Sequence, residues 1–242
     1  MSGKERLTID SLKNRRVTVM GLGRFGGGVS VTRFLASHGA IVTLTDLASE
    51  TDLGESLAAL EPHSPARIIL GRHDESDFRE TDLVVVNPAV KPDNPYLKIA
   101  QEAGVPLTSE MNLFWQFHRG KTVAVTGSNG KSTTTAMIHA ILQRARFSSR
   151  LGGNIGHSLL EEVESIQPDD WTVLELSSFQ LRDLDRLRAR PDVAVVTNFT
   201  SNHLDWHGTL DDYRRSKQTI LRWQTANDVA VLNADDAETK TG

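Results

Sequence analysis

The stretch Thr122-Val-Ala-Val-Thr126 followed at once by Gly127-Ser-Asn-Gly-Lys-Ser132 decides the fold. A short run of β-branched residues ends in two glycines, a lysine and a serine, and STTTAMIHAIL then continues with helical character. Strand, glycine loop and helix in that order form a phosphate-binding unit. Gly130-Lys131-Ser132 fits the end of a Walker A loop, but the loop's first glycine would fall on Val125, so this is a shortened variant. Gly127 and Gly130 let backbone amides turn toward phosphate oxygens, Lys131 can neutralise β/γ charge, and the Ser132 hydroxyl can ligate Mg²⁺. The run Gly127, Ser128, Asn129, Gly130, Lys131, Ser132 and Thr133 is therefore the candidate ATP site, with the positive end of the next helix aimed at it.

Working outward, Trp171 to Leu176, Val193 to Thr197 and Val229 to Leu232 read as further buried strands, with helices predicted at about 131 to 144, 156 to 165 and 210 to 223. Upstream, Arg16 to Met20, Ile41 to Thr45, Arg67 to Leu70 and Leu83 to Val86 alternate with segments of helical character. That alternation indicates parallel sheets with crossover helices. A helix over Ser109 to Phe117 closes this first series. The expected fold is α/β: a Rossmann-like domain over 1–119, then a P-loop-type α/β ATPase domain over 120–242 that is incomplete at its C-terminal end.

Gly21-Leu-Gly23-Arg-Phe-Gly26 follows the first strand, and Asp46 ends the next one 20 residues beyond Gly26. This is the dinucleotide fingerprint in its proper context, and taken alone it predicts NAD. Its physical content is narrower: glycines admit a diphosphate, a helix N-terminus supplies amides, and an acidic residue reaches a ribose or base. Any nucleoside diphosphate satisfies that, and a tight turn with no ligand does too.

Three further positions in the second half carry chemistry. Glu175 ends an apolar strand, where a carboxylate is either paired or at a solvent-facing edge. His203 and Asp205 lie in the polar loop Asn198 to Asp205, where histidines are usually solvated. Lys217 falls within the apolar stripe of Leu210, Tyr213, Ile220 and Leu221, and is either a snorkelling side chain or a desolvated, reactive amine.

The composition excludes several classes. A net charge of −4 gives no electrostatic case for nucleic acid or an anionic membrane. The absence of cysteine rules out disulfides and thiolate metal sites. Apolar runs such as Leu83 to Val86 are far shorter than the roughly 18 residues of a membrane span, and the N-terminus lacks a signal-peptide core, so a cytoplasmic protein is expected. A monomer is the expected state, although nothing in the sequence reads it.

Thr126 to Ser132, Gly152-Gly-Asn-Ile-Gly156, Leu174-Glu-Leu-Ser-Ser-Phe-Gln-Leu181, Asn202-His-Leu-Asp205 with His207-Gly-Thr209, Tyr213 to Lys217 and Leu232-Asn-Ala-Asp-Asp236 occur in the order and spacing of the Mur ligases. The chain resembles that family throughout its length, and the LELSSFQL string points to the D-glutamate-adding member. The resemblance implies ATP-dependent addition of D-glutamate to UDP-N-acetylmuramoyl-L-alanine through an acyl phosphate, in peptidoglycan precursor synthesis. By the same resemblance Lys131 holds phosphates, and Ser132 and Glu175 ligate one of two Mg²⁺ ions. His203 and a carbamylated Lys217 serve the second ion. Asn154 and Ser177 contact the muramoyl substrate, while Gly21, Leu22, Gly23, Arg24, Phe25, Gly26, Asp46 and Asn87 hold its UDP. Phe25 and Asn87-Pro-Ala89 depart from the family pattern. Relatives carry a third domain, so a chain ending at Gly242 is expected to bind the UDP-linked substrate weakly without turnover. The alternatives are a non-catalytic nucleotide-binding protein, a Mur ligase of other amino-acid specificity, and a Rossmann oxidoreductase.

Overall fold

In the computed structural model, residues 7–23, 26–200 and 204–241 are described. The chain divides into two compact units, Met1–Phe117 and His118–Gly242.

The first unit runs β1 (Arg16–Met20), α1 (Gly27–Ser37), β2 (Ile41–Asp46), α2 (Glu50–Ala58), β3 (Arg67–Leu70), α3 (Ser76–Arg79), β4 (Leu83–Val86), α4 (Pro95–Glu102), β5 (Leu107–Thr108) and α5 (Glu110–Phe117). The strands pair in parallel in the order β3-β2-β1-β4-β5. Strands covered on both faces need continuous apolar runs, which RVTVM and LVVV supply. Met20 and Val84 pack with Phe78, Leu97, Ala100 and Val105 into one core. Local chemistry sets the helix starts: the Ser49 hydroxyl accepts the Asp52 amide, and the Asn94 side chain accepts the Tyr96 amide ahead of Pro95.

Because β2 lies on one side of β1 and β4 on the other, the chain reverses direction across the sheet at β1, and the glycine loop stands at that reversal. Gly26 caps α1 with φ +86° and has open space around it, so it does not provide the close helix-to-strand approach. Gly28 does. A methyl group there would run into the carbonyl oxygens of Leu22 and Gly21.

The second unit repeats the plan: β6 (Lys121–Thr126), α6 (Lys131–Arg144), β7 (Ser149–Gly153), β8 (Trp171–Glu175), α7 (Ser178–Leu184), β9 (Val193–Val196), α8 (Leu204–His207), α9 (Leu210–Arg222), β10 (Val229–Leu232) and α10 (Ala237–Thr241). Its strand order is β10-β9-β6-β8-β7, all parallel, so the phosphate-type loop follows the strand at the reversal of this sheet too. Val123, Val125, Val173 and Val195 form the core, with Ile138 and Leu142 of α6 packed on it.

The helix expected at 156–165 is instead a 3-10 helix over Leu160–Ser165. Leu160, Val163 and Ile166 recur every three residues and are all buried, which suits three residues per turn rather than 3.6. The expected Lys217 stripe is also shifted. Tyr213, Ser216, Lys217 and Ile220 face inward, whereas Leu210 is exposed. Among the described residues no helix is long and apolar enough to cross a membrane.

The adjacent glycines of α1 should respond with opposite signs. Gly28→Ala is expected to lower stability by about 3 kcal/mol or more, since the atoms it meets are backbone. Gly27→Ala, with open space around it, should be neutral or raise stability by up to about 1 kcal/mol. Urea denaturation of the two variants checks this, and equal effects would remove the close-packing role from Gly28.

Candidate active site

The phosphate-type loop is braced from β9. A methyl group on Gly127 would strike the Thr197 hydroxyl, and Gly130 takes the left-handed conformation (φ +78°) that turns the chain into α6. The Ser128 amide donates to the Asn198 carbonyl (3.0 Å) and the Asn129 amide to Asn198 Oδ1 (2.9 Å). In return, Thr197 Oγ1 and Asn198 Nδ2 donate to the Asn129 carbonyl at 2.6 and 3.0 Å. The Ser128 hydroxyl donates to the Thr200 carbonyl and accepts the Thr200 amide, both at 2.8 Å. The amides of Ser128 and Asn129 therefore hold the loop's shape. Those of the first turn of α6, Lys131 to Thr133, have no acceptor inside the helix and form the anion-facing end. Lys131 lies back over the loop, its Nζ donating to the Ser128 carbonyl (3.1 Å).

Glu175 is 1% exposed on β8, a strand paired on both sides, which removes the edge reading. Its carboxylate accepts the Ser132 hydroxyl at Oε2 (2.7 Å) and the Asn154 side-chain amide at Oε1 (2.9 Å). Asn154 is delivered there by Gly153, whose backbone presses so closely on the Glu175 carbonyl that no side chain fits, and the Asn154 amide also donates to that carbonyl (2.8 Å). A buried carboxylate is tolerated only with such partners.

Lys217 is 5% exposed, so it does not snorkel. Its Nζ donates to the Gly127 carbonyl (2.7 Å) and to Thr126 Oγ1 (3.4 Å), and lies 4.9 Å from the centre of the Tyr213 ring. Burial, and then the charge of Lys131, lower its pKa to about 7, with Glu175 acting in the opposite sense. A substantial fraction of this amine is therefore unprotonated and nucleophilic near neutral pH.

The other candidates are placed as follows. Ser177 caps α7 in a capping box with Gln180. His203 lies outside the described residues, as do Arg24 and Phe25. His207, four residues beyond His203, is buried; it stacks on Phe179 and meets the Ser178 hydroxyl at 2.8 Å. In the first unit, Asp46 accepts the amides of Leu22 (2.8 Å), Gly23 (3.2 Å) and Ala48 (2.9 Å), so it closes the glycine loop from the neighbouring strand. Asn87 turns on itself to accept the Ala89 amide (3.0 Å) and braces the Gly21 carbonyl (3.4 Å). Met20, Gly21, Asp46, Leu47 and residues of the β4–α4 connection line a cavity of about 490 Å³ at the carboxyl ends of these strands. Asn198 opens the polar loop picked out from the sequence, but that it and Thr197 brace the phosphate-type loop was not foreseen.

Among the described residues no cluster of three or more His, Asp or Glu side chains is assembled for a metal. Ser132 and Glu175 offer a hydroxyl and a carboxylate, which suit Mg²⁺: it takes few protein ligands and completes its shell from phosphate and water.

Each unit thus carries a parallel sheet with a glycine loop at its reversal, and the second gathers a carboxylate, a hydroxyl and a lysine at that loop. Residues 125–241 match the Mur ligase middle domain and residues 15–109 the Mur ligase MurD-like N-terminal domain. The chain belongs to the Mur ligase family, of which it carries those two domains. Among its curated relatives are UDP-N-acetylmuramoylalanine--D-glutamate ligases from Roseiflexus sp. (43% identical) and Acidobacterium capsulatum (42%), each aligned over 93% of this chain and 48% of the relative. The chain thus spans about half the length of these relatives. Among solved structures, the UDP-N-acetylmuramate-alanine ligase from Thermotoga maritima superposes with a TM-score of 0.56 at 25% identity, over 94% of this chain and 51% of that one. A UDP-N-acetylmuramate:L-alanyl-gamma-D-glutamyl-meso-diaminopimelate ligase from Neisseria meningitides shares the fold, with a TM-score of 0.64 at 17% identity, over 94% of this chain and 74% of that one.

Between about pH 7 and 10.5 the folded chain holds Lys217 neutral while the unfolded chain keeps it charged. The unfolded state then binds more protons, so this group makes stability rise with pH through that window, by up to about 1.4 kcal/mol per pH unit. Lys217→Met removes the group, and urea denaturation at several pH values should show a shallower rise than in the unsubstituted chain. Identical slopes would mean that the amine is not desolvated.

Proposed function

We propose that this chain supplies the UDP-substrate-binding and ATP-binding domains of a ligase that adds D-glutamate to UDP-N-acetylmuramoyl-L-alanine, forming an amide bond and releasing ADP and phosphate. The observation that carries this reading is the buried Glu175 carboxylate held by Ser132 and Asn154 at the mouth of the phosphate-type loop, with the Lys217 amine against the loop's floor. Phosphate binding alone requires neither a buried carboxylate nor a desolvated lysine. That the chain's relatives are D-glutamate ligases supports the choice of amino acid.

In this reading the loop amides of the first turn of α6, with Lys131, hold the β- and γ-phosphates of ATP. The L-alanyl carboxylate oxygen attacks the γ-phosphorus, the bond to the ADP oxygen breaks, and an acyl phosphate forms. The amine of D-glutamate then attacks the acyl carbon, loses a proton and expels inorganic phosphate. Mg²⁺, when bound, offsets repulsion between the two anionic reactants and stabilises charge developing in the transfer. Ser132 and Glu175 would hold one ion. His203 and Lys217 would serve a second, with Lys217 carbamylated: its neutral amine adds to carbon dioxide and releases one proton, exchanging a cation for oxygen donors. Asn154, which donates to Glu175, and Ser177, which caps α7, would contact the muramoyl substrate. In the first unit the cavity beside Gly21 and Asp46 takes the UDP group, with Gly23, Arg24, Phe25 and Gly26 along its diphosphate. The protein acts in the cytoplasm as a monomer.

Thermal-shift titration with UDP-N-acetylmuramoyl-L-alanine, Mg²⁺-ATP and NAD in parallel tests this reading. The first two should each raise the melting temperature, and NAD should not. Lys131→Ala should abolish the response to ATP and leave that to the UDP compound unchanged. Stabilisation by NAD alone would overturn the reading, and loss of both responses in Lys131→Ala would remove the division of labour between the units.

A further inference from the structure

One wall of the 490 Å³ cavity in the first unit is a histidine outside every motif considered so far. His73 follows β3 and is 9% exposed. Its ring is wedged edge-on against Phe78 of α3 and Tyr96 of α4, with centroids 5.7 and 5.0 Å away. The Tyr96 hydroxyl donates to the His73 carbonyl (3.2 Å), fixing the backbone as well. These contacts restrict the ring's rotation.

Its tautomer follows from its neighbour. The buried Thr45 hydroxyl lies 2.7 Å from His73 Nδ1 and 3.1 Å from the Arg72 carbonyl. A carbonyl can only accept, and a hydroxyl has one hydrogen. Both contacts are satisfied together only if Thr45 donates to Arg72 and His73 Nδ1 carries the proton that Thr45 accepts. Nε2 then bears a lone pair. Burial opposes protonation of the ring, with Asp46 and Asp77 acting in the opposite sense. Among the described residues Nε2 has no hydrogen-bond partner, yet it is not fully enclosed, because the residue borders the cavity. The histidine is thus held with its accepting nitrogen unused, lining the same cavity as the Asp46 carboxyl group.

We propose that His73 is a binding residue for the nucleoside in this cavity, accepting on Nε2 a hydrogen bond from the ring N3–H of the base or the 2′-hydroxyl of the ribose. The proposal rests on the reading of the cavity as the UDP site. It makes His73 a specificity determinant, because a nucleoside lacking the donor leaves a buried acceptor without a partner.

The test is calorimetric titration of the full chain with UDP, 2′-deoxy-UDP and N3-methyl-UDP, for the unsubstituted protein and for His73→Leu. One of the two altered nucleotides should bind the unsubstituted chain about tenfold more weakly than UDP, and that penalty should fall below about twofold in His73→Leu. The deoxy compound identifies a ribose donor and the methyl compound a base donor. Thr45→Val, near-isosteric and outside the cavity lining, should shrink the same penalty by freeing the tautomer, and it serves if His73→Leu does not fold. UDP binding with no penalty that depends on His73 or Thr45 overturns the proposal and leaves the UDP site standing. No binding of UDP by the unsubstituted chain overturns both.

Discussion

The second unit is organised around the cost of placing the Glu175 carboxylate inside a sheet. A carboxyl group with 1% exposure must be given hydrogen-bond partners, and here they come from two directions. Ser132 reaches it from the first turn of α6 and Asn154 from the end of β7. Each imposes a constraint on its own element. For Asn154 to arrive, β7 must end in a glycine pressed onto the Glu175 carbonyl. For Ser132 to arrive, the loop after β6 turns into α6 at Gly130, which takes the left-handed conformation. The carboxylate thereby joins three neighbouring strands at their carboxyl ends, the place where an open parallel sheet presents its ligand.

The two units solve the same problem with different chemistry. Both put a glycine loop after the strand where the sheet order reverses. In the first unit an acidic side chain from the next strand, Asp46, takes two of the loop amides for itself. In the second, the brace is neutral: Asn198 and Thr197 hold the loop through its carbonyl and amide groups. A carboxylate on the loop amides reduces the positive potential available to a phosphate, whereas a neutral amide leaves it in place, reinforced by Lys131 and Lys217. The second loop is therefore the better cradle for a triphosphate, and the first is suited to a ligand whose recognition is shared with the surrounding cavity.

Most of this architecture was legible in the sequence because buried parallel strands must be apolar runs and glycine loops must contain glycine. RVTVM, LVVV and VAVV announce themselves. β7 did not, because SRLGG is a strand whose composition was set by the site it serves: its glycines are there for Glu175. α7 lies within LELSSFQL and was not predicted as a helix. The Ser177 and Gln180 spacing of a capping box was the available signal. The 3-10 helix at Leu160–Ser165 was misread for a related reason, since a spacing of three and one of 3.6 diverge little over two turns. Within the site, Glu175 and Lys217 could be singled out as charged residues in apolar patterns, but whether each was paired depended on partners far away in the chain. Asn154 lies 21 positions from Glu175, and Gly127 lies 90 from Lys217. His73 carried no signal at all, because its significance lies in a tautomer set by Thr45.

Lys217 shows how such a residue can be kept. A methionine at that point of α9 would pack against Tyr213 and Ile220 without any charge to bury, so stability alone does not explain a lysine there. What the amine provides is a donor to the Gly127 carbonyl directly beneath the phosphate-type loop, at a distance of 2.7 Å. It also provides a group whose charge is near its midpoint at neutral pH. A positive charge there draws phosphate in, and a neutral amine there is open to chemistry that an ammonium is not. A side chain poised between those two states has a use at a site that must first attract an anion and then manage the charge of its transfer, and the burial that destabilises the fold is what holds it at that point.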